Sequence, residues 1–208
     1  MEKEKIVLVG AGPHAHVIIQ ILRETNQYEI VGCVDSHGEM CRNIPIVGDD
    51  SVMENLYKNG VKNAFIAIGN NMVRKRLFEN CKKIGFFMPS IISVNSLIAE
   101  DVQIGEGTVV MPGAILNTGT WIGKGCIINT KASVDHDNHI GYFVHIAPGV
   151  TMSGSSYIGT GSFLGTGSSV IDNLHIGSYV MVGAGAVVIR DVEDECTVVG
   201  VPAKKIKG

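Results

Sequence analysis

From Ile98 to Val188 an aliphatic residue or methionine stands at every sixth position, in one unbroken frame that runs Ile98, Ile104, Val110, Leu116, Ile122, Ile128 and on through Ile176, Val182 and Val188. Neither the 3.6-residue period of a helix nor the strict alternation of a half-buried strand fits this spacing. A period of six suits a short strand and a corner, with one large side chain per strand pointing inward. A second period overlies the first: Ile-Gly recurs at Ile104, Ile122, Ile140, Ile158 and Ile176, so three hexapeptides close one coil and equivalent corners stack. A fixed short period is the signature of a solenoid. Two residues before each aliphatic the side chain is usually small, as at Thr108, Ala114, Thr120, Cys126, Ala132, Ser156, Ser162, Ser168 and Ala186. A narrow triangular prism requires this, and the glycine after each Ile is expected to supply the backbone angles of a sharp corner.

Ahead of the repeats the pattern changes. Lys5 to Val9 reads as a strand, Gly10-Ala-Gly-Pro-His-Ala15 as a tight turn, His16 to Arg23 as a helix, and Glu29 to Val34 as a second strand ending at Asp35. Ile44 to Val47, a helix from Asp50 to Lys58, a strand from Ala64 to Ile68, and a helix opened by Gly69-Asn-Asn71 and running through Lys83 complete the region. Pro89 and Ser90 mark a short connection. Residues 1–88 are therefore expected to form a small Rossmann-like α/β domain, and residues 89–208 a parallel β-solenoid. Loops that join strand ends to helix N-termini on one side of a parallel sheet suit a phosphate or ribose. Gly12, Pro13, His14, Asp35, Ser36, Gly69 and Asn70 are the expected substrate-binding residues. Gly10, Gly12 and Ala15 also satisfy the dinucleotide fingerprint, with Asp35 at the ribose-acid spacing. A two-half dinucleotide domain needs more chain than precedes the repeats, so NAD stands as the minor alternative.

Composition narrows the class. The chain is 45% hydrophobic with a formal net charge of −3, which gives no reason to expect nucleic acid. Met1-Glu-Lys-Glu-Lys leads into an apolar run too short for a signal peptide or a membrane span, so a cytoplasmic location is expected. The five cysteines are odd in number and lack C-x-x-C spacing, which indicates reduced thiols and no zinc site. Cys126 falls in an inward small-residue slot and reads as core, against an acyl-enzyme role. A carbonic-anhydrase-like zinc set on the same kind of coil is broken by Val180, although His139 and His175 are spaced by two coils. No metal is expected.

The coils break their own economy between Ser133 and His145. Asp135, His136, Asp137 and His139 crowd one corner, and His145 follows on the next strand. Alternation turns His139 and His145 outward, because each immediately precedes an inward isoleucine. A histidine beside a carboxylate is what a general base needs for orientation and for stabilising its imidazolium form. His136 with Asp137 is the expected catalytic pair, with Asp135 as the other available carboxylate.

Gly10 to Ala15, Asp35, Ala67-Ile-Gly-Asn-Asn71, Asn129-Thr, Val134-Asp-His136-Asp, His145 and the ending Val199-Gly-Val-Pro-Ala-Lys204 together resemble the sugar O- and N-acyltransferases with hexapeptide repeats, the family that includes the bacillosamine-pathway N-acetyltransferases. The resemblance implies a left-handed β-helix and acetyl transfer from acetyl-CoA to the amine of a nucleotide-linked 4-amino-4,6-dideoxy sugar, UDP-linked before GDP- or dTDP-linked. It implies a homotrimer with active sites between subunits, His136 as base, and Asn129 and His145 placing the thioester. Gly154, Gly165 and Ala184 are then expected along the pantetheine arm and Lys204 near the CoA phosphates. Tyr142, Phe143 and Tyr157 are expected as an exposed apolar surface that the trimer covers. O-acetylation of a sialic-acid-like hydroxyl, and a non-catalytic nucleotide-binding solenoid, are the alternatives.

Overall fold

A computed structural model describes residues 3–207. It divides into two compact units, Met1–Val94 and Asn95–Gly208.

In the first unit a parallel sheet is built from β1 (Glu4–Val9), β2 (Tyr28–Val34) and a later strand, Asn63–Ile66, with β1 in the centre. Ile6 to Val9 are at most 3% exposed, the near-continuous apolar run of a parallel strand covered on both faces. Helix α1 (Pro13–Thr25) crosses from β1 to β2 and buries Ala15, Ile18, Ile19, Ile21 and Leu22 as one stripe. Its start is set by Pro13 in the first turn, where the missing N–H is no loss. A hairpin of β3 (Met40–Cys41) and β4 (Ile44–Pro45) follows β2. A 3₁₀ turn, Asp50–Val52, and helix α2 (Met53–Lys58) replace the single helix expected there. The third sheet strand, β5 (Asn63–Ile66), then leads to α3 (Asn71–Ile84). All three sheet strands end on one side, at Gly10, Asp35 and Ala67.

In the second unit the hexapeptides are two-residue strands that pair in parallel with the strand eighteen residues on, for example Ser133↔Thr151, His139↔Tyr157 and His145↔Phe163. They stack into three faces. One runs from Leu97–Ile98 to Val187–Val188, the second from Gln103–Ile104 to His175–Ile176, and the third through Val109–Val110, His145–Ile146 and Thr197–Val199. The inward aliphatics from Val110 to Val188 are at most 2% exposed and form one continuous core. The closing strand, Lys204–Lys207, pairs antiparallel with Thr197–Val199.

Two expectations about the corners are revised. The glycine after each Ile does not supply a special backbone angle. At Gly105, Gly123, Gly141 and Gly159 a Cβ would come within 2.4–2.9 Å of backbone in the next coil, so these glycines permit close stacking. The left-handed position lies two residues later, at Gly107 (φ 66°), Gly125 (66°), Phe143 (55°), Gly161 (75°) and Tyr179 (56°). The small-residue slots are also more than a matter of volume. Thr108 Oγ1, Ser162 Oγ and Ser156 Oγ donate to the carbonyls of Gly123 (2.8 Å), Gly177 (2.8 Å) and Ile171 (3.2 Å), all fifteen residues on. A buried hydroxyl without a partner would cost about 1–3 kcal/mol, so this register makes Ser and Thr usable at these three slots, whereas the buried Ser168 Oγ finds no partner among the described residues. The Cys126 thiol donates to the Gly141 carbonyl at 3.0 Å in the same way, a structural role.

Candidate active site

The corner after Val134 carries Asp135, His136, Asp137 and Asn138 in succession. His136 Nδ1 lies 2.8 Å from Asp137 Oδ2. Asp137 can reach back because it adopts the left-handed conformation, φ 56°, a strained choice for a residue other than glycine. The coil above leaves room for it: a Cβ on Gly119 would stand 2.3 Å from Asp137 Oδ1. Asp135, the other available carboxylate, is directed elsewhere. Its Oδ1 accepts from the His136 backbone N–H and from Asn117 Nδ2, each at 2.8 Å, and these bonds hold it below the usual carboxylate range. Asn138, 1% exposed, donates from Nδ2 to the carbonyls of Asp135 (2.7 Å) and Ser153 (3.0 Å) and locks the corner from inside.

The His136 ring rests on Gly154 of the next coil, where a Cβ would be 2.5 Å from Cε1 and 2.6 Å from Nε2. With Nδ1 bound to a carboxylate, Nε2 is the nitrogen left to exchange a proton with a substrate. Half of the His136 side chain is exposed. The Asp137 hydrogen bond, aided by the charges of Asp135 and Asp137, raises the His136 pKa above that of a free imidazole.

His145 belongs to a second cluster on the third face of the same coil. It points away from the prism interior, as alternation requires, yet it is 9% exposed: its ring meets Phe163 edge-on at 5.0 Å between centroids. Asn129 Oδ1 accepts from the Thr130 N–H at 2.8 Å, which orients the amide so that Nδ2 donates to His145 Nε2 at 3.0 Å. That bond leaves the ring proton of the neutral imidazole on Nδ1. Phe143, expected on the surface with Tyr142 and Tyr157, is instead 2% exposed, while the two tyrosines are 45% and 38% exposed. Its left-handed φ folds the ring over Gly125, into the space an absent Cβ leaves.

Among the residues expected along CoA, Gly154 lies under the His136 ring. Gly165 is required by the coil itself, since a Cβ would be 2.6 Å from the Val182 carbonyl oxygen. Ala184 and Lys204 are exposed, and beside Ala184 a Cβ on Gly185 would meet nothing within 4 Å. The spacing also concealed a ladder on the second face: Trp121, His139, Tyr157 and His175 stack at 4.3, 5.1 and 4.7 Å with interplanar angles of at most 15°. Its signal was the position before each Ile-Gly.

In the first unit, a cleft of about 520 Å³ opens at the strand ends, lined by Gly10, Asp35, Ser36, Asp49, Asp50, Ser51, Arg76 and apolar neighbours. Of the expected substrate residues only Asp35 and Ser36 line it. Asp35 Oδ2 accepts from the Ala11 N–H at 2.9 Å, pinning the glycine turn to the end of β2. The Asn70 side chain caps α3, accepting from the N–H groups of Met72 and Val73. Gly12 and Pro13 are exposed at the start of α1. His14 Nε2 is buried without a hydrogen-bond partner, and burial together with the nearby charge of Arg74 lowers its pKa to about 4. Arg74, 1% exposed, donates to the carbonyls of Ile68 and Gly69 and to Asn71 Oδ1, bracing that loop. Asp49, Asp50, Ser51 and Arg76 were missed. Among the described residues no group of three or more His, Cys, Asp or Glu is placed to hold a metal ion, and no helix is long and apolar enough to cross a membrane.

A stacked hexapeptide prism with an outward histidine–carboxylate pair, preceded by an α/β unit with a polar cleft, defines the acyltransferase class of β-solenoid. Comparison with known proteins makes the assignment narrower. The PglD N-terminal domain family matches residues 5–81. The structure is similar to PerB from Caulobacter crescentus, solved with CoA and GDP-perosamine, at 38% identity over 98% of this chain and 97% of that one, with a TM-score of 0.95. It is similar to the acetyltransferase domain of PglB from Neisseria gonorrhoeae, solved with acetyl coenzyme A, at 33% identity over 99% and 100%, TM-score 0.94. It is also similar to WeeI from Acinetobacter baumannii, at 28% identity over 98% and 100%, TM-score 0.88. The chain therefore belongs to the hexapeptide-repeat sugar acyltransferases of the bacillosamine-pathway type.

Proposed function

We propose that this protein transfers the acetyl group of acetyl-CoA to the amine of a nucleotide-linked 4-amino-4,6-dideoxy sugar by direct attack, with His136 as general base. The observation that carries the reading is the 2.8 Å His136–Asp137 bond with the ring half-exposed above Gly154. An amine that attacks a thioester carbonyl must lose a proton as the C–N bond forms. His136 Nε2 takes it, and Asp137 steadies the imidazolium that results. As the C–S bond breaks, the same nitrogen can return the proton to the departing thiolate, which leaves the histidine neutral for the next cycle. PerB, a perosamine N-acetyltransferase, has been solved with GDP-perosamine and CoA, and with one histidine replaced by Asn or Ala, which supports the same substrate class here.

His136 stands at the corner between the first and second faces, and His145 lies on the third face of the same coil. This placement supports a site shared between subunits, with His145 of one chain set near His136 of another, in a homotrimer. The exposed corner at Ala184 and Gly185, with Lys204 on the closing strand, suits a pantetheine arm and its phosphates. The test is thiol release from acetyl-CoA in the presence of UDP-, GDP- and dTDP-linked 4-amino-4,6-dideoxy sugars, with sialic acid as the hydroxyl acceptor. Acceptor-dependent release with an amino sugar, and a trimeric sedimentation mass, are expected. Release with the hydroxyl acceptor alone, or with none, contradicts the proposal.

A further inference from the structure

The polar cleft of the first unit continues into a second, smaller one of about 300 Å³, and the two share Val9, Asp50 and Leu77. Val9, Met53, Leu77 and Ile84 give the smaller cleft an apolar lining against which a flat ring can pack. Its polar groups are few. Asp50 stands at the junction, and α3 supplies the Asn80 amide and the Lys83 ammonium, both able to donate to a carbonyl.

The three carboxylates of the larger cleft differ in what they already hold. Asp35 accepts from Ala11 and His37 backbone N–H groups, and Asp49 accepts from the N–H and hydroxyl of Ser51. Asp50 accepts no side-chain hydrogen bond among the described residues and stays free to receive one from a ligand. Its charge reaches the buried end of the small cleft: together with the larger effect of burial it pushes the Cys81 thiol up to about 12. A carboxylate is acceptor-only, so a ligand that settles here must present donors.

We propose that the small cleft holds the base of the sugar nucleotide and that Asp50 selects guanine, whose adjacent N1–H and N2–H₂ groups match the two carboxylate oxygens, while the Asn80 amide faces O6. This rests on the sugar-nucleotide reading above and adds the base to it. Uracil and thymine present one N–H between two carbonyls, and adenine presents its amino group beside a ring acceptor. Each of these sets at least one lone pair against the carboxylate. A bidentate pair of this kind discriminates by about 1–3 kcal/mol, or roughly 5- to 150-fold in affinity.

The experiment is calorimetry on the full chain with GDP, UDP, dTDP and ADP as probes, repeated on Asp50→Asn. GDP is expected to bind about 5- to 150-fold more tightly than the other three. In Asp50→Asn the amide pairs one donor with one acceptor, which suits the N3–H and O4 of uracil. That variant should therefore lose affinity for GDP and gain it for UDP, a gain that damage to the fold would not produce. Equal binding of GDP and UDP by the parent, or an unchanged preference in Asp50→Asn, overturns the guanine assignment alone. Failure of all four nucleotides to bind overturns the sugar-nucleotide reading with it.

Discussion

Gly154→Ala tests the placement of the base with a single methyl group. The added Cβ would lie 2.5 Å from His136 Cε1, 2.6 Å from Nε2 and 2.9 Å from Nδ1. An ordinary contact is about 3.5 Å or longer, so the ring must move by roughly 1 Å. The atoms that yield are the end of a half-exposed side chain. The coil should fold as before while the imidazole tilts out of line with Asp137. A displacement of about 1 Å at a reacting group can cost on the order of 10² in rate. Steady-state thiol release at saturating substrates should show kcat down by about that factor, and calorimetry should show acetyl-CoA affinity little changed. A variant with native far-ultraviolet dichroism and kcat within twofold of the parent would refute the reasoning. A variant that lost acetyl-CoA binding first would return Gly154 to the pantetheine path.

Three further outcomes follow from the geometry. Asp137→Asn removes the main cause of the raised His136 pKa, so the acidic limb of the kcat/KM profile should move to lower pH, with a lower plateau; a limb that stays in place contradicts the pairing. Phe143→Ala empties a site that is 2% exposed and should cost about 3–5 kcal/mol in denaturant unfolding, against well under 1 kcal/mol if the ring were on the surface. His14 is neutral in the fold, with its pKa lowered to about 4 from 6.5, so the unfolded chain binds the proton first. Stability from this group is complete above pH 6.5 and falls as pH drops toward 4, and the His14→Gln variant should show a flatter midpoint across that window.

The coil was legible because it repeats. One inward side chain every six residues and one corner every eighteen leave little freedom, and even the stacked ladder from Trp121 to His175 could have been read from the row before Ile-Gly. What could not be read was the direction of side chains at positions the repeat leaves irregular. Asp137 and Phe143 both sit at left-handed positions where glycine would be the ordinary choice, and that conformation brings one carboxylate to His136 and lays one ring over Gly125. His145 obeys the alternation but is covered, because outward from a thin prism is not the same as exposed to water. In the first unit, motif spacing located the strand ends and missed the division of labour among polar residues. Asn70 caps a helix and Arg74 braces a loop, while Asp50, in the 3₁₀ turn, lay outside every fingerprint.

The central claim is that His136 removes the proton from the attacking amine. His136→Ala, assayed at saturating acetyl-CoA and acceptor, is predicted to lower kcat by about 10² to 10⁴. Acetyl-CoA affinity should remain that of the parent, and no acetylated side chain should accumulate before acceptor arrives. A kcat within twofold of the parent, or an acetyl-enzyme trapped in the absence of acceptor, would contradict it.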